Sequence, residues 1–381
     1  MADAPDHDFT RYRRQMQLPG FGVEGQRRLA AARVLVAGCG ALGTVASELL
    51  VRAGVGTVTI VDRDLVERSN LQRQSLFTEQ DARRAVPKAE AAKARLAQVN
   101  AEVVVRAFVD DLRGSNLLDY AGDADLIVDC LDNFETRLVL NECAVSRRIP
   151  LVYGGAVGFA GMAAALLPAA RADMQGFGGS IAWSEARSTA CLRCLVPEAP
   201  APGETETCDV AGILAPAAAA VASVEAGIAL RLIAEGADCV PAELMRLDLA
   251  AMRFTSSSLA GARDPQCACC AQGRFDLLGR PDGPSQYRVL CGRNAVEVRL
   301  GAGVSIADLS RIESRLRVAG EVAGSVHGST RVLRVELPRE ACGDGPSALS
   351  ILAGASGTLA IVDGTRDAEQ ARSAVARWIG V

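Results

Sequence analysis

The sequence predicts an α/β protein, with a mostly parallel sheet covered by helices on both faces and a smaller α/β domain after it. Short apolar segments that suit strands alternate with amphipathic segments that suit helices from Val34 onward. A glycine-rich turn joins the first strand to the first helix of this series. Acidic residues follow two of the strands, at Asp62 and Asp132, where parallel sheets bind ligands.

The glycine-rich turn is Gly38-Cys39-Gly40-Ala41-Leu42-Gly43, which has the spacing G-x-G-x-x-G between a strand and a helix. Its glycines permit a tight bend and a close approach of backbone N–H groups to a phosphate, which the helix N-terminus also favours. Asp62 ends the next strand, where a carboxylate can hold ribose hydroxyls. The pattern predicts a Rossmann-like nucleotide site without identifying the nucleotide. Its candidate binding residues are Gly38, Gly40, Ala41, Gly43, Asp62 and Asp64.

The other elements are predicted from periodicity and from Gly and Pro positions. Pro87 suits the first turn of a helix that continues through KAEAAKARLAQVN. A Gly-Gly turn is predicted at Gly154 and Gly155, within a strand segment. The pattern breaks from Pro168 to Gly212, a long Gly- and Pro-rich stretch. The predicted helices cover 23–31, 88–100, 135–148 and an alanine-rich segment to about 236, and the predicted strands cover 103–110, 124–133, 149–158, 244–252 and 253–259.

The chain length of 381 residues allows more than one domain. We expect an ATP-binding domain over 1–270, a linker over 271–285, and a small α/β domain over 286–381. No chemical motif appears in the last domain, and its role is not assigned. Cys291 and Cys342 there are expected to be packed thiols.

Two C-x-x-C segments point to a metal. They lie at Cys191–Cys194 and Cys267–Cys270. Four thiolates so arranged suit a tetrahedral Zn²⁺, and a closed four-cysteine site is structural. The alternative is a set of unconnected thiols, which two such segments in one chain make less probable. Cys269 lies within the second segment and is not expected to be a ligand.

Composition limits the possible partners. The net charge of −4 and the pI near 5.5 argue against general nucleic-acid binding. The N-terminus lacks the apolar core of a signal peptide, and twelve cysteines without a secretion signal suit a reducing cytoplasm. The apolar run from Val210 to Val224 is too short for a membrane span, so we expect a buried helix and no membrane.

Further polar residues could complete a triphosphate site. Ser69, Asn70 and Arg73 follow the acidic strand end, and their simplest interpretation is a surface helix start. Arg73, Lys88 and Arg14, together with the glycine turn, would nevertheless place positive charge around a bound triphosphate. Asp132 could hold Mg²⁺ through one carboxylate, or cap the following helix, or both.

These stretches together resemble the ThiF/MoeB/HesA family, bacterial relatives of ubiquitin-activating enzymes, over about residues 9 to 270. The resemblance is carried by RYRRQ, FGVEGQRRL, VLVAGCGALG, VDRDLVERSNLQRQ, VPK, DCLDN, CLRC, TCDVAGILAP and CACC. It implies a homodimeric adenylyltransferase that uses ATP, Mg²⁺ and Zn²⁺. Such an enzyme adenylates the C-terminal glycine of a ubiquitin-fold sulfur-carrier protein ending in Gly-Gly and releases pyrophosphate. A sulfur donor is a possible further partner.

The resemblance also implies roles for individual residues. Arg14 matches an arginine that reaches into the partner subunit's site, and Cys208 matches a loop cysteine of sulfur or thioester chemistry. The predicted catalytic residues are therefore Arg14, Asn70, Arg73, Lys88, Asp132 and Cys208. Ser69, Asn70, Arg73, Lys88, Asp132 and Asn133 join the nucleotide site, with Asp132 on magnesium. Cys191, Cys194, Cys267 and Cys270 match the zinc ligands.

Three alternatives stay open on the sequence alone. The glycine turn with Asp62 would also suit an NAD-dependent oxidoreductase, although that leaves the S-N-L-Q-R run, the cysteine segments and Cys208 unexplained. A dehydratase of the same superfamily would activate a carboxylate on modified tRNA. A catalytically idle scaffold would bind a carrier without using Arg73, Lys88 or Asp132. The carrier and the pathway are not predicted.

Overall fold

The computed structural model places the described strands in two sheets. It describes residues 9–169, 180–181, 183–200, 211–280, 287–290, 295–300, 308–318, 320–327, 330–337, 347–354, 357–365 and 367–379. Residues 33–258 contribute the first sheet and residues 287–363 contribute the second.

The first sheet has the strand order β3-β2-β1-β4-β5-β6-β7-β8. Its first five strands in that order are parallel to one another, and the last three joints are antiparallel. Both faces of the central strands are buried, as a sheet between helix layers requires. The strands are β1 Arg33–Ala37, β2 Thr57–Val61, β3 Val104–Phe108, β4 Leu126–Asp129, β5 Leu151–Val157, β6 Ala160–Leu166, β7 Glu243–Asp248 and β8 Arg253–Ser258.

Helices connect and cover these strands. The described α-helices are α1 Arg13–Met16, α2 Gly22–Ala31, α3 Ala41–Arg52, α4 Glu79–Arg83, α5 Lys88–Val99, α6 Leu117–Tyr120, α7 Phe134–Arg147, α8 Leu192–Leu195, α9 Ala215–Ala234, α10 Leu309–Leu316 and α11 Ala368–Trp378. The α/β fold predicted from the sequence is confirmed, with a mainly parallel sheet and a second α/β unit.

The second half of the first sheet differs from the prediction. The strand after β5, β6, was missed because its alanine- and glycine-rich sequence has little strand propensity. The Gly-Gly turn predicted at Gly154 and Gly155 is wrong, since both residues lie inside β5. Gly154 is small for a packing reason: a Cβ there would lie 2.1 Å from Cδ of Glu225, whose carboxyl group occupies that space.

The glycine turn holds α3 against β1. Gly38 has φ of 87°, a conformation that L-residues with a side chain rarely adopt. A Cβ on Gly43 would lie 2.1 Å from the carbonyl oxygen of Gly38, so only glycine permits this approach of helix to strand. Gly40 has more room, because its nearest neighbour would be Nε2 of Gln74 at 3.9 Å.

One described helix, α9, is long and apolar enough to cross a membrane by length and composition. It packs instead on α3, β5 and β6, and 61% of its most apolar window is buried within the protein. This agrees with the buried helix expected from the apolar run.

The second sheet is antiparallel in the order β11-β12-β13-β14-β10-β9. One face packs on α10 and α11. The predicted division into domains and a 271–285 linker stays a prediction. The described part of that segment packs on the first sheet's unit, because the N–H groups of Leu277 and Leu278 donate to Glu142. The strands are β9 Tyr287–Leu290, β10 Ala295–Leu300, β11 Val322–His327, β12 Thr330–Glu336, β13 Ala348–Gly354 and β14 Gly357–Asp363.

Candidate nucleotide site and metal centre

Asp62 stabilises the glycine turn from the end of β2. Its Oδ2 accepts a hydrogen bond from the N–H of Cys39 at 2.7 Å, and its Oδ1 accepts one from the N–H of Asp64 at 2.7 Å. Loss of water around the carboxylate raises the pKa of Asp62 to about 6, against the opposing effect of Lys88. Each oxygen keeps a second lone pair that a ribose hydroxyl could use.

Lys88 lies beside these acids at the start of α5. Its side chain is 7% exposed, and its Nζ is 2.8 Å from Oδ2 of Asp64. The backbone also joins the two residues, since the N–H of Lys88 donates to the carbonyl of Asp64. The structure therefore brings Asp62, Asp64 and Lys88 together beside the glycine turn.

The polar run after β2 forms a short 3₁₀ turn, Arg68–Asn70. Asn70 is buried and its Oδ1 accepts from the N–H of Glu67 at 3.1 Å. Arg73 donates from Nη1 to the carbonyl of Ser69 at 3.0 Å. Asn70 therefore fixes the turn, while Ser69 is on its exposed side.

Asp132 is an exposed carboxylate in the loop after β4. The alternative that it caps the next helix is wrong, because Asn133 is the cap and accepts from the N–H of Thr136 at 2.9 Å. The side-chain amide of Asn133 lies 3.4 Å from Oδ1 of Asp132. A single accessible carboxylate after a strand fits Mg²⁺, which takes one or two protein oxygens together with phosphates and water.

A buried charged group behind this loop was missed by the sequence analysis. It consists of Asp129, Arg137 and Glu225. Nη1 of Arg137 lies 3.6 Å from Oδ2 of Asp129, and its Nη2 donates to the carbonyl of Leu131. The signal was Glu225 itself, an acid within an otherwise apolar helix.

Within the Asp129–Arg137–Glu225 group, the pKa of Glu225 is shifted by its surroundings. Burial raises the pKa of Glu225 well above its usual range, and the nearby Asp129 raises it further. Its Oε2 has no hydrogen-bond partner among the described residues. Burial therefore favours the protonated form of Glu225, while Arg137 lies beside Asp129.

Arg14 lies near the end of α3 that is remote from the glycine turn. Its neighbour Gln15 donates to the carbonyl of Ala53, just beyond the C-terminal end of α3. The twelve residues of α3 separate that end from the turn by about 18 Å. Within one chain, the structure does not bring Arg14 to the predicted nucleotide site.

The four predicted zinc ligands converge. The sulfurs of Cys191, Cys194, Cys267 and Cys270 all lie within 4.8 Å of one another. Three of the sulfur pairs are 3.5, 3.7 and 3.8 Å apart. A tetrahedral site with zinc–sulfur bonds of about 2.3 Å needs sulfurs roughly 3.8 Å apart, so the group fits Zn²⁺.

Two residues of α7 support the cysteine group. Asn141 accepts from the N–H of Leu192 at 2.8 Å and points its amide nitrogen at the sulfurs of Cys191 and Cys269. Glu142 is fully buried and binds Arg193 at 2.8 Å through Oε1. These contacts orient the first C-x-x-C segment, as hydrogen bonds around the ligands do at metal sites.

Comparison with known proteins decides the family. The model of the ThiF family matches residues 12–269. The chain belongs to the ThiF family. The resemblance inferred from the motifs is thus confirmed, and the matched residues include every predicted site residue except Cys270. Cys208 lies outside the residues that the structure describes.

Curated members of the family are similar over much of the chain. A sulfur carrier protein ThiS adenylyltransferase of Bacillus subtilis is 37% identical over 97% of this chain and 99% of its own length. An Escherichia coli protein of the same name is 35% identical over 71% of this chain and 98% of its own. A SAMP-activating enzyme E1 of Haloferax volcanii is 35% identical over 70% of this chain and 91% of its own. The predicted adenylyltransferase is confirmed.

Solved structures agree on the fold. E. coli MccB with ATP superimposes with a TM-score of 0.54 at 21% identity, covering 68% of this chain and 74% of that one. At this identity the likeness concerns the fold alone.

Proposed function

We propose that this protein adenylates the C-terminal glycine of a ubiquitin-fold sulfur-carrier protein and releases pyrophosphate, as activation for thiocarboxylate formation or transfer. The observation that carries the proposal is the 37% identity to a ThiS adenylyltransferase over nearly the full length of both chains. The similarity to relatives named as adenylyltransferases favours this reaction over nicotinamide chemistry, over carboxylate activation on tRNA, and over an idle scaffold.

The chemistry requires positioning more than proton transfer. The carrier's terminal carboxylate, already ionised at neutral pH, attacks the α-phosphorus of ATP. A carboxylate oxygen–phosphorus bond forms, and the bond to the bridging oxygen of pyrophosphate breaks. The enzyme must hold both reactants in line and stabilise the negative charge on the phosphates.

The residues at the carboxyl edge of the first sheet suit that task. The backbone of the turn from Gly38 to Gly43 and the carboxylate of Asp62 would bind the nucleotide. Ser69, Asn70 and Asn133 would line it, with Asn70 fixing the turn that carries Arg73. Arg73 and Lys88 would face the phosphates, and Mg²⁺ held by Asp132 would neutralise them further.

The protein would act as a homodimer in the cytoplasm. The distance of Arg14 from its own glycine turn supports a role in the partner subunit's site rather than in its own. The carrier would enter with its Gly-Gly end. Zn²⁺ bound by the four cysteines would hold α8 to the chain after β8.

Cys208 would act after adenylation, in sulfur or thioester chemistry. Cys208→Ala should then spare ATP–pyrophosphate exchange and block a later covalent or sulfur-transfer step. Loss of both would contradict this order of events.

The decisive experiment is ATP–pyrophosphate exchange with candidate carriers ending in Gly-Gly, together with the mass of the carrier for added AMP. Asp132→Ala should abolish carrier-dependent exchange. Lys88→Met should lower it by about 10²-fold or more, as removal of a donor to transition-state charge does elsewhere. Lys93→Met is the matched control, because Lys93 is exposed on the same helix. Near-normal exchange in Asp132→Ala would refute its role.

A further inference from the structure

The loop that carries Asp132 is held from behind by a buried cation, Arg137. This residue lies near the start of α7, and its side chain is 6% exposed. Its Nη2 donates to the carbonyl of Leu131, the residue before Asp132. Its Nη1 lies 3.6 Å from Oδ2 of Asp129, at the end of β4. One guanidinium therefore joins the end of the strand, the loop and the helix.

The backbone of Leu131 is fixed at both of its polar groups. Arg137 binds its carbonyl, and Oδ1 of Asp129 accepts from its N–H at 3.1 Å. On the other side of Asp132, Asn133 is tied to α7 because its side chain caps that helix. Asp132 is thus an exposed carboxylate between two anchored neighbours.

The same loop packs on the glycine turn. A Cβ on Gly38 would lie 2.9 Å from the carbonyl oxygen of Cys130 and 3.5 Å from Cδ2 of Leu131. The N–H of Cys130 also donates to the carbonyl of Ala37, the last residue of β1, at 2.9 Å. A shift of Leu131 would therefore change where Asp132 lies relative to the turn that would bind the nucleotide.

Two aromatic rings limit the orientation of the Arg137 guanidinium. Its central carbon lies 4.9 Å from the centroid of the ring of Tyr153 and 5.7 Å from that of Phe134. Arginine suits this place because its planar group carries several donors in fixed directions, so that one side chain can serve a carboxylate and a carbonyl together. The ammonium of a lysine is a single point charge and cannot span both.

We infer that Arg137 is a positioning residue for the metal site: it binds the carbonyl of Leu131 and so fixes the direction in which Asp132 presents its carboxylate to Mg²⁺. The inference rests on the proposed function, in which Asp132 binds Mg²⁺. Replacing residues that orient a metal ligand through hydrogen bonds typically lowers metal affinity by about 10- to 100-fold. The alternative is that Arg137 only balances the charge of Asp129, and the two roles predict different results.

The test separates metal binding from nucleotide binding. A non-hydrolysable ATP analogue is titrated by calorimetry into the full chain, first without divalent metal and then at a series of free Mg²⁺ concentrations. Arg137→Lys keeps a positive charge for Asp129 but cannot also hold Leu131. It should raise the Mg²⁺ concentration at half-maximal strengthening by about tenfold or more. The metal-free affinity should stay unchanged, because the glycine turn is intact.

Arg148→Lys is the matched control. Arg148 follows the other end of α7 and donates to the carbonyl of Trp183 at 2.9 Å. Its guanidinium carbon lies 5.0 Å from the centroid of the ring of Trp183. Arg148 therefore makes the same kinds of contact as Arg137, but with a carbonyl remote in sequence from the loop of Asp132. Its substitution should leave the Mg²⁺ requirement unchanged.

A neutral pair distinguishes positioning from charge balance. Arg137→Met with Asp129→Asn removes both buried charges, while the amide oxygen at position 129 can still accept from the N–H of Leu131. Positioning predicts a raised Mg²⁺ requirement in this double variant, because the carbonyl of Leu131 has lost its donor. Charge balance alone predicts the wild-type requirement. The double variant also decides between the two roles if Arg137→Lys does not fold.

Three results would overturn the inference. They are an unchanged Mg²⁺ requirement in Arg137→Lys, a wild-type requirement in the double variant, and a metal-free affinity in Arg137→Lys that falls as much as the affinity with Mg²⁺. A wild-type chain whose binding strengthens with Mg²⁺, but which adenylates no carrier, would count against the proposed function alone.

Discussion

At the scale of single residues, the candidate site contains two kinds of buried ionisable side chain: those with an oppositely charged partner, and an acid whose surroundings favour the neutral form. Lys88 and Asp64 form a partly buried ion pair at 2.8 Å, whereas Glu225 is an acid with a raised pKa and no partner for its Oε2 among the described residues. A buried acid of this kind stays protonated, because ionising it without a partner is costly.

Glu225 should therefore give the protein a defined pH dependence. The folded state holds this proton more tightly than the unfolded state, whose carboxyl has a pKa near 4.5. The contribution of Glu225 to stability is full below pH 4.5 and declines as the pH rises toward the folded pKa, by at most about 1.4 kcal/mol per pH unit. Glu225→Gln cannot ionise, so its stability relative to wild type should increase from pH 5 to pH 8. Urea midpoints at four pH values would measure this.

Glu235→Gln is the control for that experiment. Glu235 follows the end of the same helix, and its hydrogen bond with Arg231 lowers the pKa of the carboxyl. Its substitution should therefore not gain stability as the pH rises. A stability difference between Glu225→Gln and wild type that stays constant with pH would contradict the neutral state.

At the scale of elements, two glycines of the turn between β1 and α3 are required for different structural reasons. Gly43 lets the helix pack on the strand, while Gly40 leaves open space in front of the helix N-terminus. The spacing of the motif does not distinguish these two purposes. The structure does, through the atoms that a Cβ would meet.

Alanine substitutions should separate the two glycines. Gly43→Ala puts a Cβ against the backbone oxygen of Gly38, so we expect a loss of roughly 3 kcal/mol of stability. Gly40→Ala meets nothing closer than 3.9 Å and should fold normally, yet bind ATP at least tenfold more weakly, because the methyl group occupies the phosphate's space. Thermal melts and ATP titrations measure the two effects. Normal ATP affinity in Gly40→Ala would contradict a phosphate at this turn.

The cysteine group belongs to the same scale, since it joins α8 to the segment after β8. We expect one Zn²⁺ per chain by elemental analysis, and a fall of at least about 5 °C in the melting temperature when a strong chelator removes it. Cys194→Ser should lose the metal. Cys269→Ser should keep it, because Cys269 lies outside the four-sulfur group. Equal zinc content in both variants would contradict the ligand set.

The sequence predicted those parts of the site whose residues lie close together along the chain. The glycine turn, Asp62, Lys88 and both cysteine segments are local patterns, and the structure brings their members together. The ion pairs that Arg63 forms with Asp111 at 3.0 Å and with Glu297 at 3.4 Å could not be found this way, because the three residues come from distant parts of the chain and meet only on folding. The strand β6 was missed for another reason: its partners on both sides determine it, not its own propensity.

At the scale of the whole molecule, the proposed homodimer would make each site composite. Arg14 adjoins Gln15, which contacts Ala53 beyond the end of α3 that lies about 18 Å from the glycine turn. A symmetric pair in which each chain lends Arg14 to the other would complete both sites.

Subunit complementation tests this arrangement. Arg14→Ala and Asp132→Ala should each be inactive alone. After mixing and subunit exchange, half of the dimers would contain one intact site, which restores about a quarter of wild-type exchange activity. No recovery, with exchange of subunits verified by native mass spectrometry, would show that Arg14 and Asp132 act in the same chain. Activity of Arg14→Ala alone would show that Arg14 is not needed.

Glu142 has a practical consequence for anyone who shortens this chain. Its buried carboxylate binds Arg193 beside the first cysteine pair and the N–H groups of Leu277 and Leu278. A version cut after Cys270 would remove two of these three donors and uncover the apolar surface that both leucines cover. Ending at Arg280 instead retains them, so the shorter fragment should be the one that aggregates, although it contains all four cysteines of the predicted zinc site.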